Sequence, residues 1–176
     1  NLMMRVMNLL KNPLTDEYYQ LKNLVLGSDF PWFHEKNQRD DFYFYSHVFL
    51  ERPNPKSLFP AVRSEYVDLF HTVIQQIFEY NNRPIDIIYR MNANAVDAGK
   101  GYTAAHTDHD FPHQNLIVYL TDAGGETYVK GSKPKPPLED DIATFSGIHY
   151  HKMPKKKRRV VLIATYGNSF DYNTTD

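Results

Sequence analysis

No cysteine occurs among the 176 residues. Its absence excludes disulfides, thiolate metal sites and cysteine nucleophiles, so metal chemistry must draw on His, Asp and Glu, and it is compatible with a reducing cytoplasm. Net charge is almost absent as well, formally -1 with histidines neutral. A chain so balanced has no global attraction to phosphate backbones, and a nucleic-acid role would need a local basic patch. The sequence offers one, at 155–159 (KKKRR). Also missing are apolar runs of membrane length: the longest, at 116–120 and 160–164, are strand-sized, so no membrane span is expected and the protein reads as soluble. There is no internal repeat, and because the sequence begins at Asn1 no targeting segment is read from it.

What is present divides into helical text followed by strand text. Thr15, Asp16 and Glu17 form an N-cap and acidic first turn ahead of Tyr18, Leu21, Leu24 and Val25, with Gly27 as the stop. Between 30 and 60 the chain is aromatic, charged and proline-punctuated, with one strand suggested by Phe42, Phe44 and Ser46. Val62, Tyr66, Leu69, Phe70, Val73, Ile74, Ile77 and Tyr80 recur at helical spacing between Pro60 and Pro84 and predict the main helix. Beyond Pro84, β-rich runs at 85–91, 115–120, 126–129, 142–145, 148–151 and 159–166 are separated by hairpin-sized gaps, too short for parallel crossovers. The expectation is a mostly β chain with N-terminal helices and a sandwich or jelly-roll core. With 41% hydrophobic residues, one domain over 1–176 is expected, with a helical support region 1–84, a β core 85–166 and a tail 167–176.

Five of the eight histidines lie between 106 and 151, and the first opens the string His106-Thr107-Asp108. In extended chain, H-x-D puts an imidazole and a carboxylate on one side, able to reach one metal together. Alone, the string also fits a turn aspartate capping a nearby amide. A third imidazole lies 43 residues on at His149, or 45 on at His151, and Arg158-Arg159 opens the last strong strand. Two His and one carboxylate leave three positions of octahedral Fe(II) free, enough for a bidentate 2-oxo acid and dioxygen. A guanidinium fork beyond them can hold the far carboxylate of 2-oxoglutarate in two charge-assisted hydrogen bonds.

The strings HTDHDFPHQNLIVYLTDAGGETYV (106–129) and DDIATFSGIHYHKMPKKKRRVVLIATY (140–166) resemble the core of the 2-oxoglutarate/Fe(II)-dependent oxygenases, nearest to the prolyl-hydroxylase-like branch found in bacteria and their phages. The resemblance spans about 87–166. It implies a double-stranded β-helix (jelly-roll, cupin-like), with Fe(II), 2-oxoglutarate and O2 as cofactor and cosubstrates. Decarboxylation of 2-oxoglutarate to succinate would be coupled to hydroxylation of a substrate. It implies His106 and Asp108 as ligands, Tyr119 as a residue helping to hold the cosubstrate, and 124–127 (GGET) as a structural turn. Arg159 is the choice for the distal carboxylate, since Val161, Ile163 and Thr165 share its face while Arg158 points away. The third ligand stays open between two candidates: His149 has the family's spacing to the arginines, whereas His151 fits the spacing from Phe145 better. His149 is favoured.

Other residues have blander readings beside the functional one. His109 and His113 are expected as solvated loop histidines, with substrate contact at the mouth as the alternative. Asn94, with Asn92, is a weak candidate to touch the 2-oxo acid. Trp32 and Phe33 beside His34 read as core filling rather than a lid. The basic run 154–160 resembles a nuclear-import signal, but a solvated turn ending in Arg159 suffices, and a cytoplasmic location is expected. A peptidyl prolyl or other side chain is the first expectation for substrate, a nucleobase or small molecule the second. The competing class is a non-catalytic metal-binding β-sandwich, which would have no use for a buried arginine beyond its ligands.

Overall fold

The computed structural model describes residues 7–54, 56 and 60–167. In chain order the elements are β1 (Asn8–Leu10), α1 (Asp16–Leu26), β2 (Phe33–Lys36), β3 (Tyr43–Glu51), β4 (Ala61–Val62), α2 (Val67–Tyr80), β5 (Ile87–Val96), β6 (Gln114–Tyr119), β7 (Thr127–Val129), β8 (Ile142–Phe145), β9 (His149–His151) and β10 (Arg159–Gly167). The tail beyond Gly167 lies outside the described residues.

The main sheet runs β1-β8-β6-β10-β5-β3-β2, with β4 on β3, and every pairing is antiparallel. A short second sheet pairs β7 with β9, extended by isolated bridges between Tyr102 and Lys152 and between His106 and His149. This is a mostly β jelly roll. The first 84 residues are not a helical support alone: they contribute β1 to β4, where one strand was expected. β5 also runs past Met91 to Val96 and so carries Asn92 and Asn94.

Alternation along the central strands creates two cores. Val160, Leu162, Ala164 and Tyr166 of β10, with Leu116 and Val118 of β6, face the helices and join Phe70, Val73, Ile74, Ile77 and Phe78 of α2. Val161 and Ile163, with Ile117 and Tyr119, face the second sheet and meet Val129, Ala143 and Phe145. Because both faces of β10 are covered, it reads as an unbroken apolar run. Thr15 Oγ1 accepts from Tyr18 N at 3.1 Å and caps α1, and the Gly27 N–H closes it on Leu24 O.

Register fixes what the interior face presents. Thr165 lies level with Arg90 and Asn115, Ile163 with Asn92 and Ile117, and Val161 with Asn94 and Tyr119, with Arg159 beyond them. From Thr165 to Arg159 is six positions, about 20 Å of extended chain. Along β10 itself, polar Thr165 and Arg159 bracket apolar Ile163 and Val161, while β5 sets Asn92 and Asn94 beside them.

Candidate active site

Between the sheets lies a cavity of about 760 Å³, lined by His106, Asp108, His149, His151, Asn94 and Arg159 among others. It falls within the size range of small-molecule sites.

His106 and His149 are held by their backbones as well as their rings. Each donates its N–H to the other's carbonyl, at 2.9 and 3.0 Å, which sets the two rings 4.5 Å apart between centroids. The His106 Nδ1 faces Ala104 O at 2.8 Å and the His149 Nδ1 faces Gly147 O at 3.0 Å. A ring nitrogen against a carbonyl must carry the proton, so both Nε2 atoms are left as lone-pair donors aimed inward. Asp108 meets both: its Oδ2 is 3.5 Å from His149 Nε2 and its Oδ1 3.9 Å from His106 Nε2. Burial alone would raise the Asp108 carboxyl. Arg90, His149, His106 and Arg52 together outweigh it and hold the group below its ordinary value. His149 is pushed down, chiefly by burial and partly restored by Asp108.

His151 joins the same cluster. Its ligand nitrogen and those of His106 and His149 all lie within 4.8 Å of one another. Its Nδ1, however, contacts Thr127 Oγ1 at 2.9 Å, and Thr127 in turn contacts the Tyr119 hydroxyl at 2.7 Å. Burial, then Arg159 and the neighbouring imidazoles, keep His151 neutral well below the usual histidine value. Two overlapping triads therefore share His106 and His149, one completed by Asp108 and one by His151.

At the other end, Arg159 is 5% exposed. One nitrogen, Nη1, donates to Gly125 O at 2.7 Å and to Lys152 O at 3.2 Å, while the buried Nε has no partner. A buried guanidinium tethered to neutral carbonyls, with an N–H unmet, is a seat for a carboxylate. Gly125 makes room for it: φ is +83°, and a Cβ there would stand 2.7 Å from Arg159 Nη1. Arg158 points outward, pairing with Asp97 at 2.7 Å and covering the Tyr45 ring.

Other expected positions differ. Tyr119 is buried against Thr127 and is not part of the cavity wall, whereas Asn94 is. His109 and His113 are half-buried rather than free in solvent: the His109 Nε2 contacts Thr165 Oγ1 at 2.7 Å and its ring stacks on Phe111, and the His113 Nε2 is buried without a partner. Burial pushes His109 down to about 4. Trp32 packs edge-on against Phe30, but Phe33 is 65% exposed. The basic run is an exposed turn over 155–158, with Arg158 paired to Asp97, and it ends at buried Arg159.

Sequence reading missed three arginines. Arg90 donates to Asp108 Oδ1 at 3.4 Å, Arg52 to Asp108 O at 2.9 Å, and Arg39 to Thr107 O at 3.4 Å. For Arg90 a signal existed, because it shares the interior face of β5 with Asn92 and Asn94. Arg39 and Arg52 sit outside any periodic run.

No protein-family model and no curated protein matches the sequence. Solved structures do match the fold. A 2OG-Fe(II) oxygenase family oxidoreductase from Burkholderia pseudomallei has 14% identity and a TM-score of 0.63, over 85% of this chain and 78% of that one. A prolyl hydroxylase from Trichoplax adhaerens, solved with a peptide fragment of the hypoxia-inducible-factor oxygen degradation domain, has 12% identity and a TM-score of 0.60, over 98% and 88%. A prolyl-4-hydroxylase from Pseudomonas putida has 11% identity and a TM-score of 0.57, over 93% and 92%. At these identities the likeness is one of fold.

Proposed function

We propose that this chain is an Fe(II)- and 2-oxoglutarate-dependent dioxygenase on a double-stranded β-helix, with residues 1–176 as one domain. His106, Asp108 and His149 would hold the iron, and Arg159 the far carboxylate of 2-oxoglutarate. The observation that carries the reading is the pairing, across one cavity, of an inward-facing two-His-one-carboxylate cluster with a buried guanidinium whose Nε is unmet. The donor set suits Fe(II) and leaves sites free. Fe(II) bound there would supply dioxygen chemistry, coupling decarboxylation of 2-oxoglutarate to succinate with hydroxylation of a second molecule. The chain's own part is positional. Ala104 and Gly147 carbonyls fix the tautomers, Arg90 and Arg52 keep Asp108 ionised, and Val161 and Ile163 give the space between the two ends one apolar wall. Tyr119, through Thr127, orients His151 beside the cosubstrate, and Asn94 borders it.

The prolyl hydroxylases among the fold neighbours support a peptidyl prolyl or other side chain as substrate, with a small molecule as second choice. Among the described residues no helix is long and apolar enough to cross a membrane, and the absence of cysteine accords with a cytoplasmic site of action.

One observation favours a second reading. His151 could close the cluster as a three-His-one-Asp site, which would suit a structural zinc better than an open iron. Anaerobic titration of 2-oxoglutarate into the Fe(II) protein separates the two, because bidentate binding of the 2-oxo acid gives a metal-to-ligand charge-transfer band. The band is expected in wild type. Arg159→Ala should weaken the 2-oxoglutarate affinity by about 2–5 kcal/mol, the cost of truncating one partner of a desolvated charged pair, with iron affinity retained. Arg159→Lys should recover part, and Arg158→Ala should match wild type. No band in wild type would favour the closed site. Equal affinity in Arg159→Ala would remove that residue from the cosubstrate.

A further inference from the structure

Three guanidinium groups from separate parts of the chain converge on the two consecutive residues Thr107 and Asp108. Arg39 comes from the loop after β2, Arg52 follows β3, and Arg90 lies within β5. All three line the cavity. The contacts of Arg39 and Arg52 are to backbone carbonyls, which fix a guanidinium in place without neutralising it. Each spends one of five N–H donors there.

The acidic groups facing this cluster do not balance it. Glu35 lines the same mouth and Asp40 follows Arg39 on its loop, so two of the three guanidinium charges are offset. Lys36 is engaged with Asp41 at 3.2 Å. Asp108 is shared between Arg90 and the two imidazoles, and its charge would serve any divalent cation held by the cluster. The mouth thus keeps a positive excess within a chain whose formal net charge is -1. Arg39 is exposed and Arg52 half-buried, but the Arg90 side chain is only 14% exposed, and guanidinium charge held there is costly unless an anion completes it. Arg159 cannot be the reason for the cluster: Arg90 lies level with Thr165, six positions along β10 from Arg159.

We infer that the molecule acted on at this site carries an anionic group, a carboxylate or a phosphate, bound by Arg39 and Arg52 with Arg90 behind them, at the opposite end of the cavity from Arg159. The inference rests on the oxygenase reading for which end takes the cosubstrate. It supplies what that reading leaves open, the charge of the substrate. A planar fork is the group suited to either anion, since it can meet two oxygens at once.

The test uses three probes that share a phenyl ring, benzoate, phenyl phosphate and neutral benzamide, the last isosteric with benzoate. Each is titrated calorimetrically into Mn(II)-loaded protein saturated with N-oxalylglycine, an unreactive 2-oxoglutarate mimic that blocks the Arg159 end. One or both anions should bind more tightly than benzamide, and which of them does so distinguishes a carboxylate from a phosphate. Arg52→Gln and Arg39→Gln should each weaken the favoured anion roughly ten- to a hundredfold, as expected for loss of a hydrogen bond to a charged group. Arg39 lies in a surface loop, so its variant keeps the test available if Arg52→Gln does not fold. Arg158→Gln, outside the cavity, should change nothing. Equal binding of all three probes, or anion affinity unaltered in both variants, would overturn the inference. Failure of N-oxalylglycine itself to bind would instead count against the oxygenase reading, and arginine-dependent anion binding would still be measurable without it.

Discussion

His149 and His151 stand two positions apart on β9 and turn their rings toward the same cluster, so strand parity cannot distinguish them. Their Nδ1 partners can. The His149 Nδ1 meets a carbonyl and must be protonated, which commits Nε2 to accepting, and Asp108 lies 3.5 Å from that atom. The His151 Nδ1 meets a hydroxyl, Thr127 Oγ1, which tolerates either tautomer, and after burial it is the Arg159 charge that depresses it, with no restoring part from Asp108. His149 is therefore the better anchored of the two candidate ligands, in keeping with its spacing to Arg159. Metal titration monitored by competition with a chromogenic chelator should show His149→Ala losing affinity by at least tenfold, since a ligand and its carbonyl support go together. His151→Ala should lose much less. Thr127→Val, which removes the hydroxyl but keeps the shape, should behave as His151→Ala does. The reverse order for the two histidines would exchange their roles and leave the rest of the site standing.

Elements differ in how much of themselves they wrote into the sequence. The main helix was legible because five of its residues, Phe70, Val73, Ile74, Ile77 and Phe78, bury one stripe at helical spacing. β10 was legible as an unbroken apolar run, and β8 matched its expected bounds. β2 was not, since all four of its residues are exposed and nothing alternates: it is a strand only because β3 offers it a ladder. β1 and β4, of three and two residues, are likewise defined by their partners. The two-sided packing of the main sheet gives a clean test of independence. Phe70 is fully buried and meets Phe49 edge-on at 5.0 Å on the helix side, with the sheet between it and the cavity. Phe70→Ala should cost about 3–5 kcal/mol, measured as a shift in the urea midpoint at constant slope. The affinity for 2-oxoglutarate in the fully folded fraction should not change. A matching loss of affinity would show that the helix layer tunes the site.

Across the whole molecule, what escaped the sequence is what only the fold assembles. The H-x-D string and the third candidate ligand, His149, lie in order along the chain with three strands between them, but Arg39, Arg52 and Arg90 have no pattern relating them until β3 and β5 pair. The same holds for the histidines as a set. His47 is 6% exposed, with Nδ1 on Pro31 O at 2.9 Å and Nε2 against Ser64 Oγ at 2.7 Å, and burial lowers it below the usual value. Burial also lowers His109, to about 4, and His149 and His151. A histidine depressed on folding binds its proton more weakly in the native state than in the unfolded chain. Its stabilising contribution is complete above the unfolded value near 6.5, and is lost as pH falls from there through the folded value. With four groups acting in one direction, metal-free protein should lose stability steadily between about pH 6.5 and 4, with unfolded carboxylates largely ionised over all but the lowest part of that range. Urea midpoints taken in chelator at half-unit steps would measure the slope. His47→Gln, outside the cavity and able to keep a hydrogen bond to Ser64, should flatten the curve while lowering its plateau, because one proton-linked group is gone along with the fit of the imidazole between Pro31 and Ser64. A stability that is flat from pH 6.5 to 4 in wild type, or a His47→Gln curve parallel to it, would show that these imidazoles take up protons in the native fold as readily as in the unfolded chain.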